Sequence, residues 1–177
     1  MTYVMVDVEA DGPIPGDYSM VCFAAIVVED ALDRTFYART RPVSDRWNPE
    51  ALAISGFTRE QTLAFDDPAT VMRDFAVWVR AVAPKRAVFV ADNNGFDWSF
   101  INWYFHHFIG ENPFGYSSMN LNCLYKGMTN DLFVSLRPLR RTPHTHDPLD
   151  DARGNAEAML AMRDRGLNVR LGRPAGP

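Results

Sequence analysis

Short apolar runs alternate along this chain with longer amphipathic stretches, and the two patterns predict strands and helices respectively. Apolar runs that are rich in β-branched and aromatic residues and bounded by turn formers are typical of buried strands. They predict strands over residues 3–8, 20–28, 34–40 and 86–91, with a short edge strand over residues 119–121. The first three runs follow one another closely, and they therefore favour a meander.

Helices are predicted where capping residues precede apolar residues at helical spacing. Asn48-Pro49 is typical of the start of a short helix that ends near Gly56, and Asp67-Pro68 opens a longer helix. Two more helices are predicted over residues 97–108 and 149–165, with loops over residues 12–17, 111–118 and 137–148. A meander followed by helix, strand and further helices predicts an α/β fold, with a central mixed five-stranded sheet flanked by helices.

The length of 177 residues is typical of one domain. The chain contains no internal repeat and no linker long enough to divide it. We expect a single domain over residues 1–169 and a flexible C-terminal tail over residues 170–177.

Composition narrows the class of protein. Hydrophobic residues make up 47% and the formal net charge is −4, which disfavours a protein that coats duplex nucleic acid but not an enzyme acting on a few nucleotides. Cys22 and Cys123 both lie in apolar surroundings and are expected to be buried thiols in a reducing compartment. No run is long enough to span a membrane, and the N-terminus lacks the pattern of a signal peptide. A cytoplasmic protein with no membrane partner is therefore expected.

The candidate chemistry lies in acidic residues that interrupt apolar segments. Asp7 and Glu9 are two residues apart on the first predicted strand, so their side chains share one face. Buried carboxylates are costly unless a cation compensates them, and oxygen ligands suit Mg²⁺ or Mn²⁺. Arginine partners would satisfy the same pair equally well. Asp97 and Asp151 begin helices, where carboxylates are also ordinary caps, and His146 can be a plain loop histidine.

Taken together, three motifs resemble the DEDDh class of 3′-to-5′ exonucleases, the ribonuclease T and polymerase III proofreading-exonuclease superfamily. The motifs are Asp7-Val8-Glu9 followed by Gly12, Asn93-Asn94-Gly95-Phe96-Asp97, and His146 five residues before Asp151. Residues 48–61 also look like the family's segment after the third strand. The resemblance covers residues 3–165. Two positions depart from the family pattern, because Ala10 replaces a common threonine and Asp92 replaces a common histidine.

The resemblance implies a ribonuclease H-like fold and a metal-dependent exonuclease that releases nucleoside 5′-monophosphates from single-stranded RNA or DNA. It implies two divalent ions, Mg²⁺ or Mn²⁺, held by Asp7, Glu9, Asp97 and Asp151, with His146 as general base. The same resemblance implies that two copies of the chain can form a homodimer. The choice between RNA and DNA stays open, because contacts to the sugar can come from backbone atoms.

Further residues are candidates to bind the substrate at its 3′ end. Backbone or side-chain contacts are expected from the motif residues, aromatic or apolar stacking from four others, and phosphate contacts from two arginines. The motif residues are Ala10, Asp11, Gly12 and Asn93. The candidates for stacking are Met20, Phe57, Phe96 and Trp98. The candidates for phosphate contacts are Arg140 and Arg141, and Arg137 lies on the same loop. Core packing is the competing explanation for the apolar residues, and a solvated loop is the competing explanation for the arginines.

Three other classes of protein compete with the exonuclease. The first is a proofreading-type interaction subunit that docks to a polymerase or another complex. The second is a phosphoacceptor signalling domain, which needs a lysine in the acidic pocket, and neither Lys85 nor Lys126 follows a late strand. The third is a structural zinc protein using Cys22, Cys123, His144 and His146, whose spacing matches no common zinc pattern.

Overall fold

A mixed sheet of five strands forms the centre of the computed structural model, which describes residues 1–169. The strands are β1 (Thr2–Ala10), β2 (Met20–Val27), β3 (Thr35–Arg39), β4 (Ala87–Ala91) and β5 (Ser118–Asn120). Their order across the sheet is β3-β2-β1-β4-β5. The first three strands are antiparallel neighbours, whereas β4 is parallel to both β1 and β5. The predicted meander and the five-stranded mixed sheet are therefore confirmed.

Within residues 1–169, six helices and one 3₁₀ turn connect and cover the strands. They are α1 (Pro49–Ile54), α2 (Arg59–Leu63), α3 (Pro68–Val82), α4 (Asn94–Phe108), α5 (Leu121–Thr129), the turn Arg137–Leu139, and α6 (Pro148–Asp164). Sequence patterning missed α2 and α5, and it placed the starts of α4 and β5 within three residues of their positions. The expected tail over residues 170–177 lies outside the described residues.

Side chains of β1 alternate between two hydrophobic layers. Val4, Val6 and Val8 pack with residues of α3 and α4 on one face of the sheet. Met5 packs with residues of α5 and α6 on the other face. Because side chains alternate along a strand, Asp7 and Glu9 point to the same side as Met5, which is the side that α6 covers.

Polar side chains cap the N-termini of several helices, and the caps of α1 and α3 agree with the sequence prediction. Asn48, Asp67 and Asn120 accept hydrogen bonds from the first turns of α1, α3 and α5. Asp147 does the same for α6, where its carboxylate accepts a hydrogen bond of 2.9 Å from the amide of Leu149. Asp147 therefore fills the capping role in α6, and Asp151 is left to other partners.

Candidate active site

The centre of the candidate site is the C-terminal half of β1. Asp7 lies opposite Ala24 of β2, and Glu9 lies opposite Cys22. Both acidic side chains are largely removed from solvent, since Asp7 is 9% exposed and the Glu9 side chain 13%. The ladder changes register between Glu9 and Ala10, so the regular pairing of β1 ends directly after the second carboxylate.

Asp151 approaches these carboxylates from the first turn of α6. The side chains of Asp7, Glu9 and Asp151 each offer an oxygen, and the three oxygens lie within 4.8 Å of one another. Asp151 is completely buried, and its Oδ1 lies 3.5 Å from Nη2 of Arg140. Three carboxylates this close repel one another, and oxygen donors in this arrangement suit a hard divalent cation.

Asp97 reaches the site from the opposite face of the sheet, at the first turn of α4. Its Oδ1 accepts a hydrogen bond of 2.9 Å from the amide of Val8, between the two acids of β1. The side chain is buried. This bond orients Asp97 beside the trio, although Asp97 is not among the three side chains whose oxygens lie within 4.8 Å.

His146 lies on the loop that leads into α6. Its Nδ1 is 3.7 Å from Oε1 of Glu9, and its side chain is 50% exposed, so the imidazole stands where the carboxylates meet solvent. The backbone has φ +63°, a left-handed conformation that is uncommon for a residue other than glycine. Asp151 holds this conformation, because its two carboxylate oxygens accept from the amides of Thr145 and His146 at 3.1 and 3.0 Å.

The first part of the same loop is pinned to the middle of α6. Glu157 Oε2 accepts from the amides of Arg141 and Thr142 at 2.8 and 2.7 Å. Arg140 donates to the backbone carbonyl of Asp151 at 2.9 Å and lies over Gly154, where a Cβ would stand only 2.6 Å from its Nε. Gly154 therefore leaves the room in which the guanidinium reaches α6, and the loop that carries His146 is fixed at both ends.

The pKa values of the acids reflect burial and mutual repulsion. Desolvation by burial raises the pKa of Asp7 well above its usual value, and repulsion from Asp97 and Asp151 raises it further. Burial, followed by repulsion from Asp151 and Asp147, raises the pKa of Glu9 to about 7. The pKa of Asp97 is raised in the same direction, first by burial and then by Asp92, against the hydrogen bond from Val8. Without a cation, burial and like charges thus shift Asp7, Glu9 and Asp97 toward their protonated forms.

These shifts predict an unusual dependence of stability on pH. A carboxyl group whose pKa is higher in the folded than in the unfolded state binds its proton more tightly when the protein is folded. Its contribution to stability is therefore complete at low pH, and it is lost as the pH rises through the pKa of the folded state. With a chelator present, we expect replacement of Glu9 by glutamine to leave the melting temperature unchanged near pH 4 and to raise it near pH 8. The expected gain in the free energy of unfolding is about 3 kcal/mol, which corresponds to a rise in melting temperature of roughly 6–12 °C in a protein of this size.

Thermal melts of both proteins across this pH range measure the effect. Addition of Mn²⁺ should raise the melting temperature of the unsubstituted protein most at pH 8, because the ion then binds carboxylates that are ionised. An equal difference between the two proteins at every pH would contradict the assignment of the raised pKa to Glu9.

Several residues expected to contact substrate are instead part of the protein interior. Met20 has no exposed surface and packs in the core, so the expectation that it stacks on a base is corrected: β2 lies between two other strands and is covered on both faces. Ala10 is also buried. Asp11 is buried too, where it accepts from the amide of Ser19 and pairs with Arg59 at 3.0 Å, and it thereby fixes the β1–β2 loop. Gly12 packs directly under the ring of Tyr18, where a Cβ would overlap the ring.

Other candidates retain exposed surface. Phe57 forms an edge-to-face pair with Phe65, and it lines a cleft together with His146, Cys22 and Tyr37. Asn93 is exposed at the start of α4. Trp98 and Phe96 are partly buried, and both pack against the core.

The two arginines that were predicted to contact phosphate differ in their surroundings. The Arg140 side chain is 12% exposed and is engaged with Asp151, whereas that of Arg141 is 79% exposed. Both line a second cleft with Arg137, Asp92 and His144. Arg141 thus keeps most of its side chain in solvent, although its Nε lies 3.7 Å from Oε1 of Glu157, whereas Arg140 is held against Asp151.

Two side chains of this region were not assigned a place in the site from sequence. His144 Nδ1 lies 2.8 Å from Oδ2 of Asp151, and Glu157 anchors the loop. The sequence offered a signal for His144, because it lies two residues before the candidate base His146. For Glu157 no local signal exists, because its partners lie on a loop 15 and 16 residues away.

The cysteine-based zinc site is not formed among the described residues. Groups of candidate metal ligands there contain histidine and acidic residues but no cysteine. Cys123 is exposed, which corrects the expectation that both thiols are buried, and Cys22 is buried as expected. Cys123 lies in α5 near its start, where it faces solvent instead of the sheet.

The fold and the acidic site define a class of protein, the ribonuclease H-like exonucleases. The family model of the RNase_T exonucleases matches residues 4–159, and the chain belongs to this family. A relative from Escherichia coli, the 3′-5′ DNA exonuclease Cap18, is 38% identical in an alignment 169 residues long, and the match covers 88% of this chain and 88% of the relative. The protein is therefore a 3′-5′ exonuclease.

Solved structures share the fold at low sequence identity. Cell-death related nuclease 4 (CRN-4) has a TM-score of 0.76 at 16% identity over 93% of this chain and 64% of its own. A 3′-exonuclease that recognises the histone mRNA stem-loop has a TM-score of 0.74 at 15% identity over 96% of this chain and 84% of its own. E. coli exonuclease I in complex with a dT13 oligonucleotide has a TM-score of 0.67 at 18% identity over 91% of this chain and 40% of its own. The chain thus spans less than two thirds of two of these three structures.

Among the described residues, no helix combines the length and the apolar character that crossing a membrane requires.

Proposed function

We propose that this protein is a divalent-metal-dependent exonuclease that removes nucleoside 5′-monophosphates from the 3′ end of single-stranded DNA. The observation that carries the proposal is the approach of Asp7, Glu9 and Asp151, whose oxygens lie within 4.8 Å of one another. Burial and mutual repulsion raise the pKa values of Asp7 and Glu9, and both effects are relieved by a cation between the acids.

The donor set fits two hard divalent cations, Mg²⁺ or Mn²⁺. Asp7, Glu9 and Asp151 would hold one ion, and Asp7 with Asp97 the other. All four donors are carboxylates, which is the ligand type these ions prefer. When bound, such ions lower the pKa of water and neutralise charge on the phosphate that reacts.

His146 would act as the general base. Its imidazole lies at the solvent side of Glu9 on a loop that Asp151 and Glu157 hold in place. It would accept a proton from the attacking water, whose oxygen forms the new bond to phosphorus. The electron pair of the broken P–O bond leaves with the 3′ oxygen of the preceding nucleotide. Histidine suits this step because its ordinary pKa lies close to neutral pH.

DNA is the proposed substrate because the relative at 38% identity is named a DNA exonuclease. Two clefts, one lined by His146 and the other by His144, would supply the expected contacts to the strand. Phe57 lines the first and can stack on a base, while Arg137 and Arg141 line the second and can meet phosphates. A net charge of −4 agrees with binding to a few terminal nucleotides, since no general basic surface is needed.

The direct test uses 5′-labelled DNA and RNA oligomers of the same sequence, each single-stranded or as the recessed strand of a duplex, with Mg²⁺ or Mn²⁺. We expect a ladder that shortens from the 3′ end of single-stranded DNA, and chelation should stop it. A preference for RNA or for recessed ends would overturn the proposed substrate. If no oligomer is cleaved but the protein co-purifies with a polymerase, the interaction-subunit alternative replaces the proposal.

A further inference from the structure

A second group of metal-ligating side chains lies at the edge of the acidic site. His144, His146 and Asp151 each offer one ligand atom, and these atoms lie within 4.8 Å of one another. This group shares Asp151 with the oxygen-only trio but differs in chemistry, because two of its three donors are imidazole nitrogens.

The three donors are already oriented toward one another. His144 Nδ1 lies 2.8 Å from Oδ2 of Asp151, and the two imidazole rings are 4.3 Å apart between centroids at an angle of 70°. Asp151 is buried, while both histidine side chains are 50% exposed. The buried carboxylate of Asp151 is therefore fixed within the protein, and the two half-exposed imidazole rings can adjust around an ion that enters from solvent.

Ligand chemistry separates this group from a magnesium site. Imidazole nitrogens favour zinc, copper or nickel ions over Mg²⁺ and Mn²⁺, which prefer oxygen. Three protein donors with an open fourth position are a common arrangement for Zn²⁺. Neighbouring donors in a tetrahedral zinc site are about 3.3 Å apart, which follows from bonds of about 2 Å. The contact between His144 and Asp151 needs to open only slightly to reach this spacing.

Nearby charges act on such an ion in opposite directions. Arg140 lies 3.5 Å from Asp151 and disfavours a second positive charge. Glu9 lies 3.7 Å from His146 and favours it. The carboxylate of Asp151 already offsets the guanidinium, so Glu9 leaves the local balance in favour of a cation.

We propose that His144, His146 and Asp151 form an inhibitory site for Zn²⁺ or a similar nitrogen-preferring ion. An ion held there occupies the nitrogen of His146 and an oxygen of Asp151, so that neither serves the exonuclease reaction. The inhibition rests on the proposed function of these two residues, whereas binding of the ion does not. His144 is not among the residues proposed to hold the two ions or to accept the proton, and it is the residue that distinguishes the two sites.

Binding is measured without reference to activity by competition with a chromophoric zinc chelator. The reference protein carries Asp7→Asn, which weakens the oxygen-only trio. We expect it to bind one Zn²⁺, and we expect His144→Gln added to it to weaken zinc binding roughly tenfold or more. Glutamine can still donate a hydrogen bond to Asp151, so the loop stays in place. His106→Gln is the matched control, because His106 is exposed on α4. Equal zinc affinity in all three proteins would overturn the proposal.

Inhibition is measured by titrating Zn²⁺ against cleavage supported by excess Mg²⁺. Relative to its own zinc-free rate with Mg²⁺, His144→Gln alone should need about tenfold more zinc for half inhibition than the unsubstituted protein or His106→Gln. The same half-inhibiting concentration in all three would contradict the inhibitory role. If no nuclease activity is found with any metal, the proposed function fails, while the chelator competition still decides whether the site binds zinc.

Discussion

Replacement of Asp7 by asparagine is expected to lower the rate of 3′-end cleavage by about 1000-fold or more, equivalent to about 4 kcal/mol of transition-state stabilisation. Asp7 is the one acid that lies beside Glu9, Asp97 and Asp151 alike, and its pKa responds to all three. Asparagine keeps the shape of the side chain but removes the charge that would hold cations. Single-turnover cleavage of a labelled oligomer measures the loss.

Stability separates this loss of activity from unfolding. Because the carboxylate of Asp7 is buried among like charges, Asp7→Asn should melt at a higher temperature than the unsubstituted protein in chelator, and Mn²⁺ should stabilise it less. Asp45→Asn is the matched control, since Asp45 is exposed and lies outside the site. Activity within a few-fold of the unsubstituted protein would remove Asp7 from the centre of the mechanism.

The sheet could be predicted from sequence because its strands are short, apolar and sharply bounded. Two helices were missed for identifiable reasons. In α2, a helix of five residues is too short for periodicity, yet Thr58 and Gln61 form a capping box that the sequence displays. In α5, Leu121, Leu124, Tyr125 and Met128 have helical spacing, and they all pack in the hydrophobic layer between the sheet and α6. Both signals were readable, and the turn-rich segment before α5 obscured the second.

The acidic residues of the site were easier to predict from the sequence than the contacts that hold them and the neighbouring loop in place. The i, i+2 spacing of Asp7 and Glu9 is a property of any strand, so their shared face follows directly from sequence. Burial of Met20 follows from the position of β2 between β1 and β3, which is a tertiary fact. The anchoring of the loop by Glu157 depends on a contact between distant parts of the chain, and no local pattern reports it.

His146 offers the second large effect. Replacement by glutamine is expected to lower the cleavage rate by about 100- to 10,000-fold, the range for loss of a general base, with little change in KM. The amide of His146 that donates to Asp151 belongs to the backbone and survives the substitution, so the loop should stay in place. Cleavage rates at saturating oligomer, with Mg²⁺ and without zinc, measure the effect.

His144→Gln is the matched control for this experiment, because His144 lies two residues away on the same loop and its side chain is equally exposed. Its imidazole contacts Asp151, to which His146 also donates through its backbone amide. If the loss arose from a disturbed loop or a weakened Asp151, both substitutions would lower the rate. Proton transfer by one imidazole predicts instead that His146→Gln is impaired and His144→Gln is not. Equal losses in the two variants would assign the histidines to the support of Asp151, and equal retention would place the base elsewhere.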